Sequence, residues 1–401
     1  MKVPCASSPE ALSVESTLLL RLHHCLDSLP DPRVARTKLH PLKDILLLTI
    51  AAVLCLADGF EQTERWAKVK GVEWLRENLG LELPHGIPHH DTFRRVLTRL
   101  PPTMLHATIQ NIFQQMAPEK IPHIAIDGKE VRGSFDAQEG APALQLLHAF
   151  ATEQRLLLAC KEIDSKSNEI PAARDLVRQL KIEGAVVSAD AMHCQTQTAA
   201  AIVAGKGDYV LAVKDNQKTL HEAIDGLFLN LDREEIPFLC AIPCETHRSV
   251  EKNRGRIEER VCRRVLVKDW LGAEDIFLKR WPKLTSVLCL ERCRRFTRRG
   301  EQIHSRSRLF FISSRSSSAF AHQGWIRGHW EVENGLHLVL DVTFGEDGSR
   351  VRKNHAPSNL ALIRRLVLNL VRATPSNTVS VRGRRQEAAW SDAKLLQILK
   401  F

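Results

Sequence analysis

This chain lacks a hydrophobic run long enough to cross a membrane as a helix. Its longest apolar stretch, Ile45 to Ala57, is shorter than the ~20 residues that a spanning helix needs, and we interpret it as a buried helix. The polar, proline-containing segment from Met1 to Glu10 does not resemble a secretory signal. These features predict a cytoplasmic protein with no membrane partner.

The cysteines do not form a regular framework, because the ten of them are scattered over a large chain. Such scatter fits a reducing compartment. Two Cys-x3-Cys pairs, Cys240/Cys244 and Cys289/Cys293, raise the question of zinc. Structural zinc sites usually have turn residues between converging thiolates, whereas Leu-Glu-Arg separates the second pair inside a strand-like run. We therefore expect buried free thiols rather than a zinc site.

The sequence has an excess of basic residues. It contains 57 lysines and arginines against 47 aspartates and glutamates, a formal net charge of +10 over 401 residues. This excess bears on partners and solubility rather than on fold, and it is compatible with a polyanion such as nucleic acid. The length is sufficient for two or three domains with a sizeable core.

Residues 18–119 are predicted to form a helical domain that follows a flexible segment at residues 1–17. Its clearest helix runs from Asp91, a suitable N-cap, to Leu100, with apolar residues at helical spacing. The remaining face of this helix carries Arg94, Arg95 and Arg99. Two interpretations stay open: the helix could enter a DNA major groove, or it could simply pack against its neighbours.

Short apolar runs replace the helical pattern at Ile121, and three strands followed by helix, strand, helix and strand predict a mixed α/β layer. Residues 120–215 and 315–372 are expected to form this core, with a β-rich insertion at 216–314 and a basic tail at 373–401. The predicted strands of the core are Ile121–Ile126, Ala143–Ala151, Leu156–Ile163, Ala185–Ala189 and Tyr209–Val213.

Three carboxylates stand out in this core. Asp127 and Asp190 each follow an apolar strand, at the end where open α/β sheets place ligands, and Glu333 lies in an aromatic-rich helical stretch from Trp325 to Val342. In isolation each has an ordinary interpretation: a hairpin turn at Asp127-Gly128, a helix cap at Asp190 and a solvated helix residue at Glu333. Together they are typical of a divalent-metal site, because neighbouring carboxylates repel unless a cation lies between them.

The sequence resembles the DDE-type insertion-sequence transposases, in the branch called H-repeat-associated proteins. The resemblance extends from about Leu26 to Arg372. It is carried by an ordered series of motifs: Asp31-Pro32-Arg33, His40-Pro41-Leu42, Ile87–Phe93, Ile124–Lys129, Lys166–Ile170, Asp190–Gln195, Asp208–Lys214, His329-Trp330, Leu340–Phe344 and Asn354–Pro357.

The resemblance implies an α/β, ribonuclease H-like mixed sheet flanked by helices, with the insertion before the glutamate helix. The family's DDE triad then falls on Asp127, Asp190 and Glu333. Such a triad implies two Mg²⁺ or Mn²⁺ ions per active site, which clamp the attacking and leaving oxygens of a phosphodiester displacement.

The chain departs from the Tyr-Arg-Glu-Lys pattern that the wider superfamily often shows around its glutamate. The flanking positions hold Ile326, His329 and Leu340, and His329 is the candidate to replace the arginine in part. Alternative third ligands are Glu331, Glu346 and Asp347. Candidates for DNA phosphate contacts are Lys129, Lys214, Arg350, Arg352 and Lys353, each of which could instead be an ordinary surface charge.

The function expected from this resemblance is that of a bacterial transposase that binds terminal-repeat DNA and performs metal-dependent strand cleavage and transfer. Its expected partners are double-stranded DNA, as terminal inverted repeats and target, and a second copy of the chain when assembled on DNA. Two alternatives stay open: a DNA-binding remnant or regulator without transposition activity, and a metal-dependent nuclease without strand transfer.

Overall fold

The structure is a computed structural model that describes residues 17–163, 169–233, 242–253, 256–270, 278–298, 301–375 and 378–400. It comprises two compact units, which are Met1–Met116 with Val342–Phe401, and Ala117–Asp341. The predicted flexible segment (apart from Thr17), Lys166-Ser167-Asn168 and Cys240 lie outside the described residues. Within the described part of the chain, no helix is long and apolar enough to span a membrane.

The unit formed by the two chain ends is helical. Its central helices, α2 and α12, are buried along most of their length. The helix α2 is apolar on nearly every side, whereas α12 also buries polar side chains, among them Asn359, Arg364 and Arg365. The helix α4 ends at Gly80, whose φ of 65° is the left-handed conformation that glycine adopts readily. The helices are α1 (Leu18–Asp27), α2 (Leu42–Leu54), α3 (Phe60–Lys70), α4 (Val72–Leu79), α5 (His90–Arg99), α6 (Pro102–Met116), α12 (Ala356–Ala373), α13 (Val381–Trp390) and α14 (Asp392–Leu399).

The division of the chain differs from the sequence-based one in two places. The helix α12, which was expected in the catalytic core, belongs to the helical unit. Most of the expected basic tail forms α13 and α14, and two of its arginines, Arg384 and Arg385, are buried instead of facing solvent. Arg385 is fully buried, donates a hydrogen bond of 2.6 Å to the carbonyl oxygen of Val53, and lies 4.0 Å from the ring centre of Phe344.

The other unit is built on one nine-stranded sheet with the order β3-β2-β1-β4-β5-β9-β8-β7-β6. The strands β1, β4 and β5 are parallel to each other, and the remaining pairs are antiparallel. The strands are β1 (His123–Val131), β2 (Leu144–Ala151), β3 (Leu156–Ile163), β4 (Val186–Ala189), β5 (Asp208–Val213), β6 (Cys244–Asn253), β7 (Arg256–Leu266), β8 (Ser286–Arg298) and β9 (Glu301–Ser313).

The insertion extends this sheet instead of forming a separate layer, since β9 pairs with β5 through Leu211 and Ile312. The helices of this unit are α7 (Glu169–Arg178), α8 (Thr196–Ala204), α9 (Lys218–Arg233) and α10 (Ala319–His329), with α11 (Leu338–Phe344) at its end. The predicted fold class, an α/β mixed sheet with N-terminal helices and a β-rich insertion, is confirmed. Cys289 and Cys293 are four residues apart on β8, a separation of about 13 Å along a strand, which is too long for two ligands of one zinc ion.

Candidate active site

The first two carboxylates lie level with each other at one edge of the sheet. Parallel pairing of β1 with β4 places Ile126 opposite Ala189, and Asp127 and Asp190 follow these two residues directly. Asp127 is not in a hairpin turn, because β1 continues past it and pairs it with His148 of β2. Asp190 precedes a short 3-10 helix but makes no side-chain capping bond to it. Neither ordinary interpretation therefore accounts for these aspartates.

Glu333 lies in a π-helical turn, Val332–His337, that separates α10 from α11. Here the N–H of Leu338 donates to the carbonyl oxygen of Glu333, five residues back. The sequence predicted a helical stretch from Trp325 to Val342 without such an interruption. The π turn changes the helical phase, and single π turns of this kind occur frequently at functional sites.

The electrostatics indicate that the three carboxylates converge. The pKa of Asp127 rises from its ordinary 3.8 to about 7, first because of burial and then because of the negative charge of Asp190, with a smaller contribution from Glu333. A hydrogen bond of 2.9 Å from the Gly128 N–H opposes this shift, as does His193. The protein thus holds Asp127 beside other negative charges, which a bound cation would relieve.

A pair of histidines supports Asp127. His337, at the end of the π turn, places Nδ1 3.7 Å from Oδ2 of Asp127, and its Nε2 shares a hydrogen bond of 3.2 Å with Nδ1 of His148. His148 is fully buried and lies opposite Asp127 in the β1–β2 pair. Asp127 is therefore positioned from two directions by residues of the strand next to it and of the π turn.

A second histidine lies between two carboxylates. The Nε2 atom of buried His193 is 3.4 Å from Oε1 of Glu169 and 3.9 Å from Oδ1 of Asp190. Glu169, the first residue of α7, also packs against Gly128: a Cβ atom added to that glycine would lie 2.6 Å from Oε1 of Glu169. Glu169 and His193 lie in motifs that carry the family resemblance, but the sequence alone assigned them no role. The one available signal was Gly128, whose lack of a side chain leaves room for Glu169.

His329 does not replace an arginine. Its Nδ1 shares a hydrogen bond of 3.1 Å with Oγ of Ser188, and that oxygen lies 2.8 Å from Nε2 of His123. Burial lowers the pKa of His329 to about 4, against the opposing effect of Asp190, so this side chain is neutral at neutral pH. It belongs to an inward-facing polar chain instead of presenting a positive charge to DNA.

Two of the predicted phosphate contacts in this unit differ in exposure. Lys129 is buried, and its Nζ atom lies 2.7 Å from Oδ1 of Asp341, so the structure gives it an internal ion pair. The expectation that Lys129 contacts DNA is therefore wrong for this conformation. Lys214 is exposed directly after β5, whose parallel pairing with β4 brings the two strand ends to the same edge. It remains a candidate.

The helical unit carries the other candidates. Arg350 and Lys353 are exposed and Arg352 is half-buried. On α5 the three arginines are exposed opposite buried apolar residues, as the sequence predicted: Arg94, Arg95 and Arg99 face solvent, and Phe93, Val96 and Leu97 face inward.

The start of α5 differs by one residue from the prediction. The helix begins at His90, so Asp91 lies in its first turn instead of at the N-cap. Glu64 of α3 accepts the His90 N–H at 2.8 Å and thereby supplies the cap from a neighbouring helix.

Two of the three alternative third ligands have other partners. Glu346 is fully buried in the helical unit and receives bonds of 2.7 and 3.2 Å from Arg365, so it is not accessible to an ion. Glu331 is 3.3 Å from Arg155. These pairings leave Glu333 as the better candidate beside the two aspartates.

The residues at this edge suit hard divalent cations. They offer carboxylate oxygens, which Mg²⁺ and Mn²⁺ prefer, and Oδ1 of Asp190 is buried with no hydrogen-bond partner among the described residues. Burial and the charges of Asp190 and Glu333 raise the pKa of Asp127, so a bound cation would stabilise its charged form. Both observations indicate a site built to receive positive charge.

Comparison with known proteins identifies the family. Residues 118–370 match the family described as "Transposase DDE domain", and residues 23–112 match the one described as "DDE_Tnp_1-associated". The first match covers the described carboxylates and the whole sheet.

Curated relatives agree with this assignment over nearly the full chain. The "H repeat-associated putative transposase YhhI" of Escherichia coli K12 is 31% identical over 384 residues, covering 95% of this chain and 98% of that protein. The "Putative transposase YncI" of Escherichia coli O157:H7 is 31% identical over 376 residues, 92% of each chain. A solved piggyBac transposase synaptic complex with hairpin DNA is more distant, with a TM-score of 0.45 and 9% identity over 96% of this chain and 77% of that one. From the family match and the bacterial relatives, the chain belongs to the DDE transposase family, with the associated N-terminal domain.

Proposed function

We propose that this protein catalyses divalent-metal-dependent cleavage and transfer of DNA strands, with Asp127, Asp190 and Glu333 as the catalytic triad. The observation that carries the proposal is the parallel register of β1 and β4, which sets Asp127 and Asp190 side by side, where burial and the charges of Asp190 and Glu333 raise the pKa of Asp127. Family membership supports phosphoryl transfer, and the excess of basic residues supports a polyanionic substrate.

The three carboxylates would hold Mg²⁺ or Mn²⁺, two ions per site. When bound, such ions supply Lewis acidity at the phosphodiester and stabilise both the attacking and the leaving oxygen. The protein's own groups provide the positioning. His337 and His148 fix Asp127, and Glu169 orients His193 beside Asp190. The Lys129–Asp341 ion pair joins β1, two residues after Asp127, to α11, which follows the π turn.

DNA would be held by exposed basic residues that contact phosphates without reading sequence. Lys214 is suited to this role at the edge that carries the aspartates, and Arg350, Arg352 and Lys353 are candidates in the helical unit. Terminal-repeat recognition is assigned to α5, through Arg94, Arg95 and Arg99. The active assembly is expected to be a homodimer on DNA.

The test is cleavage of a supercoiled plasmid that carries the element's own flanking DNA, with Mg²⁺, Mn²⁺, Ca²⁺ or a chelator. Cleavage should require Mg²⁺ or Mn²⁺ and be poor with Ca²⁺, which tolerates looser coordination. Asp127→Ala, Asp190→Ala and Glu333→Ala should each lower the rate about a thousandfold or more, with double variants no worse than singles. A single variant that cleaves at nearly the wild-type rate would remove its residue from the triad.

A pre-cut duplex with a 3′-hydroxyl end separates the remaining alternatives. Joining of this end to a target plasmid indicates a transposase, whereas cleavage without joining indicates a nuclease. Binding of the flanking DNA without cleavage under any of the metal conditions indicates a remnant or regulator.

A further inference from the structure

One face of the insertion strands holds more arginines than carboxylates. The register of β7 and β8 places Arg260 opposite Arg292, and Glu258 opposite Arg294. Glu258 is buried, and the guanidinium nitrogens of Arg260, Arg294 and Arg256 lie 2.8, 3.3 and 3.4 Å from its oxygens. A single buried carboxylate therefore serves three guanidinium groups.

Arg292 is the member of this group that lacks a carboxylate of its own. Across the described ranges, no aspartate or glutamate forms a salt bridge with it. Burial lowers the pKa of Arg292, and the positive charges of Arg294, Arg260 and Arg256 add to this effect against the attraction of Glu258. Its guanidinium remains charged at neutral pH, so it is held among like charges.

A second carboxylate does not remove the excess. Glu251 of β6 lies 3.1 Å from Arg260 and also pairs with Arg327 of α10. We call Arg256, Arg260, Arg292, Arg294 and Arg327 the arginine cluster. These five arginines share two glutamates, which leaves three positive charges in excess.

On the opposite face of the same strands, the partly buried arginines have carboxylate partners. There, Arg263 and Arg308 both reach Asp232 and Glu291, with distances from 2.5 to 3.0 Å. Asp225 lies a further 3.7 Å from Arg308. Arg292 thus differs from the partly buried arginines of the opposite face, each of which has carboxylate partners.

The arginine cluster faces the same side of the sheet as the active site. Cys262 and Leu290, which alternate in phase with the cluster on β7 and β8, share a hydrophobic group with Val186 and with Ile326 of α10. Val186 of β4 is level with His123 of β1. Because side chains alternate along a strand, Asp127 points to the same face as His123.

We propose that the arginine cluster binds the phosphate backbone of duplex DNA that runs along this sheet face from the active site. The choice of DNA rests on the proposed function. The fork of a guanidinium matches two phosphate oxygens, and contacts of this kind position a duplex without specifying its sequence. Arg292 is the member of the cluster that forms no salt bridge with a carboxylate among the described residues, and it is therefore the one that a phosphate would satisfy.

The substitution Arg292→Gln tests this proposal, because a structural and a ligand-binding arginine respond in opposite ways. Removal of a charge held among like charges should leave the free energy of unfolding unchanged or raise it. Affinity for a random-sequence duplex of about 40 base pairs should fall on the order of fivefold near 0.1 M salt, and the slope of log K against log[salt] should become shallower by about 0.9. Fluorescence anisotropy in the presence of a chelator measures binding without cleavage.

Arg178→Gln is the matched control. Arg178 is exposed on α7, whose apolar residues pack on the other face of the sheet with Ile124 and Leu147. Its replacement by glutamine removes the same charge as Arg292→Gln. An equal loss of affinity in both variants would assign the effect to net charge and overturn the proposal. So would a destabilised Arg292→Gln protein with unchanged affinity, since that result marks a structural arginine.

The same experiment separates this inference from the proposed function. If the wild-type protein never cleaves DNA but Arg292→Gln selectively loses affinity, the phosphate surface stands and the catalytic proposal fails. If the wild type cleaves and Arg292→Gln binds with unchanged affinity and salt slope, the catalytic proposal stands and the phosphate surface fails.

Discussion

The Nδ1 atom of His337 lies 3.7 Å from the Oδ2 atom of Asp127, so the π-helical turn contacts the central carboxylate directly. The same ring is held from behind by the buried imidazole of His148. Mutation of residues that orient a metal-ligating group typically costs about 10- to 100-fold in metal affinity or activity. The π turn therefore supplies two residues to the site: Glu333, and His337, which orients Asp127.

His337→Ala should lower the cleavage rate by about 10- to 100-fold and raise the Mg²⁺ concentration needed for half-maximal activity, because Asp127 loses its orientation. Cleavage rates over a Mg²⁺ series measure both effects. The control is His247→Ala, which removes an imidazole that lies 5.0 Å from the ring of Phe320 and contacts none of the three carboxylates. An unchanged Mg²⁺ dependence in His337→Ala would limit this histidine to packing.

Asp127→Asn should stabilise the metal-free protein while abolishing cleavage. The pKa of Asp127 is about 7 in the folded protein against an ordinary 3.8, so the folded state binds the extra proton between these values. The Asp127 protonation equilibrium therefore contributes its full stabilisation at low pH, and this stabilisation is lost as the pH rises from about 4 to above 7. At pH 8 in a chelator, the asparagine variant should gain up to about 4 kcal/mol.

Urea denaturation at pH 5 and pH 8 measures this gain. Asp215→Asn, at an exposed aspartate after β5, is the control and should leave the pH dependence as in the wild type. Equal stability of Asp127→Asn and the wild type at pH 8 would show that the three carboxylates are not held close together.

The sequence was sufficient to predict where the two aspartates lie, because each follows a short apolar run and parallel strands end at a common edge. The π turn at Glu333 was not predictable, since its phase depends on packing that brings His337 to Asp127 and His148. The Glu169–His193 pair was hidden for the same reason: its members are separated along the chain and meet only through the fold.

Charge was the least reliable guide. Lys129 and His329 were interpreted as groups that could contact DNA, and residues 373–401 as a basic tail. Lys129, His329 and Arg385 of that tail instead have partners within the protein. The sequence does not show whether a lysine or arginine will pair with a carboxylate or carbonyl oxygen inside the folded protein. The exposed arginines of α5 were predictable because the buried residues of the same helix define its outer face.

Glu346→Ala should destabilise the helical unit by about 3–5 kcal/mol, because it leaves the fully buried guanidinium of Arg365 without its carboxylate. Replacement of both members, as Glu346→Leu with Arg365→Met, should cost less than the single change, since no unpaired charge remains. Urea denaturation monitored by circular dichroism compares the two. The control is Glu331→Ala, which breaks an exposed pair with Arg155 and should change stability by less than about 1 kcal/mol.

A double variant that is less stable than Glu346→Ala would indicate that the shape of this pair matters more than its charge. A single variant with unchanged stability would mean that Arg365 finds another partner. The first result would contradict the explanation by an unpaired charge, and the second would contradict the interpretation of Glu346 as a structural carboxylate.

Replacement of Arg94, Arg95 and Arg99 together by glutamine should weaken DNA binding without disturbing the fold, because all three are exposed and glutamine retains helix propensity. If they contact only phosphates, affinity should fall equally for terminal-repeat and random DNA, with a salt slope shallower by about 0.9 per lost contact. If some contact bases, the ratio of the two affinities should also fall.

Binding of both DNAs over a salt series, wild type against variant, distinguishes these outcomes. A variant with the same loss of charge elsewhere in the helical unit is the control: Arg382, Lys394 and Lys400, all exposed, changed to glutamine. If the α5 variant and this control bind both DNAs alike, the effect of the α5 arginines is one of net charge and α5 is a packing helix. A loss of discrimination confined to the α5 variant would assign end recognition to this helix.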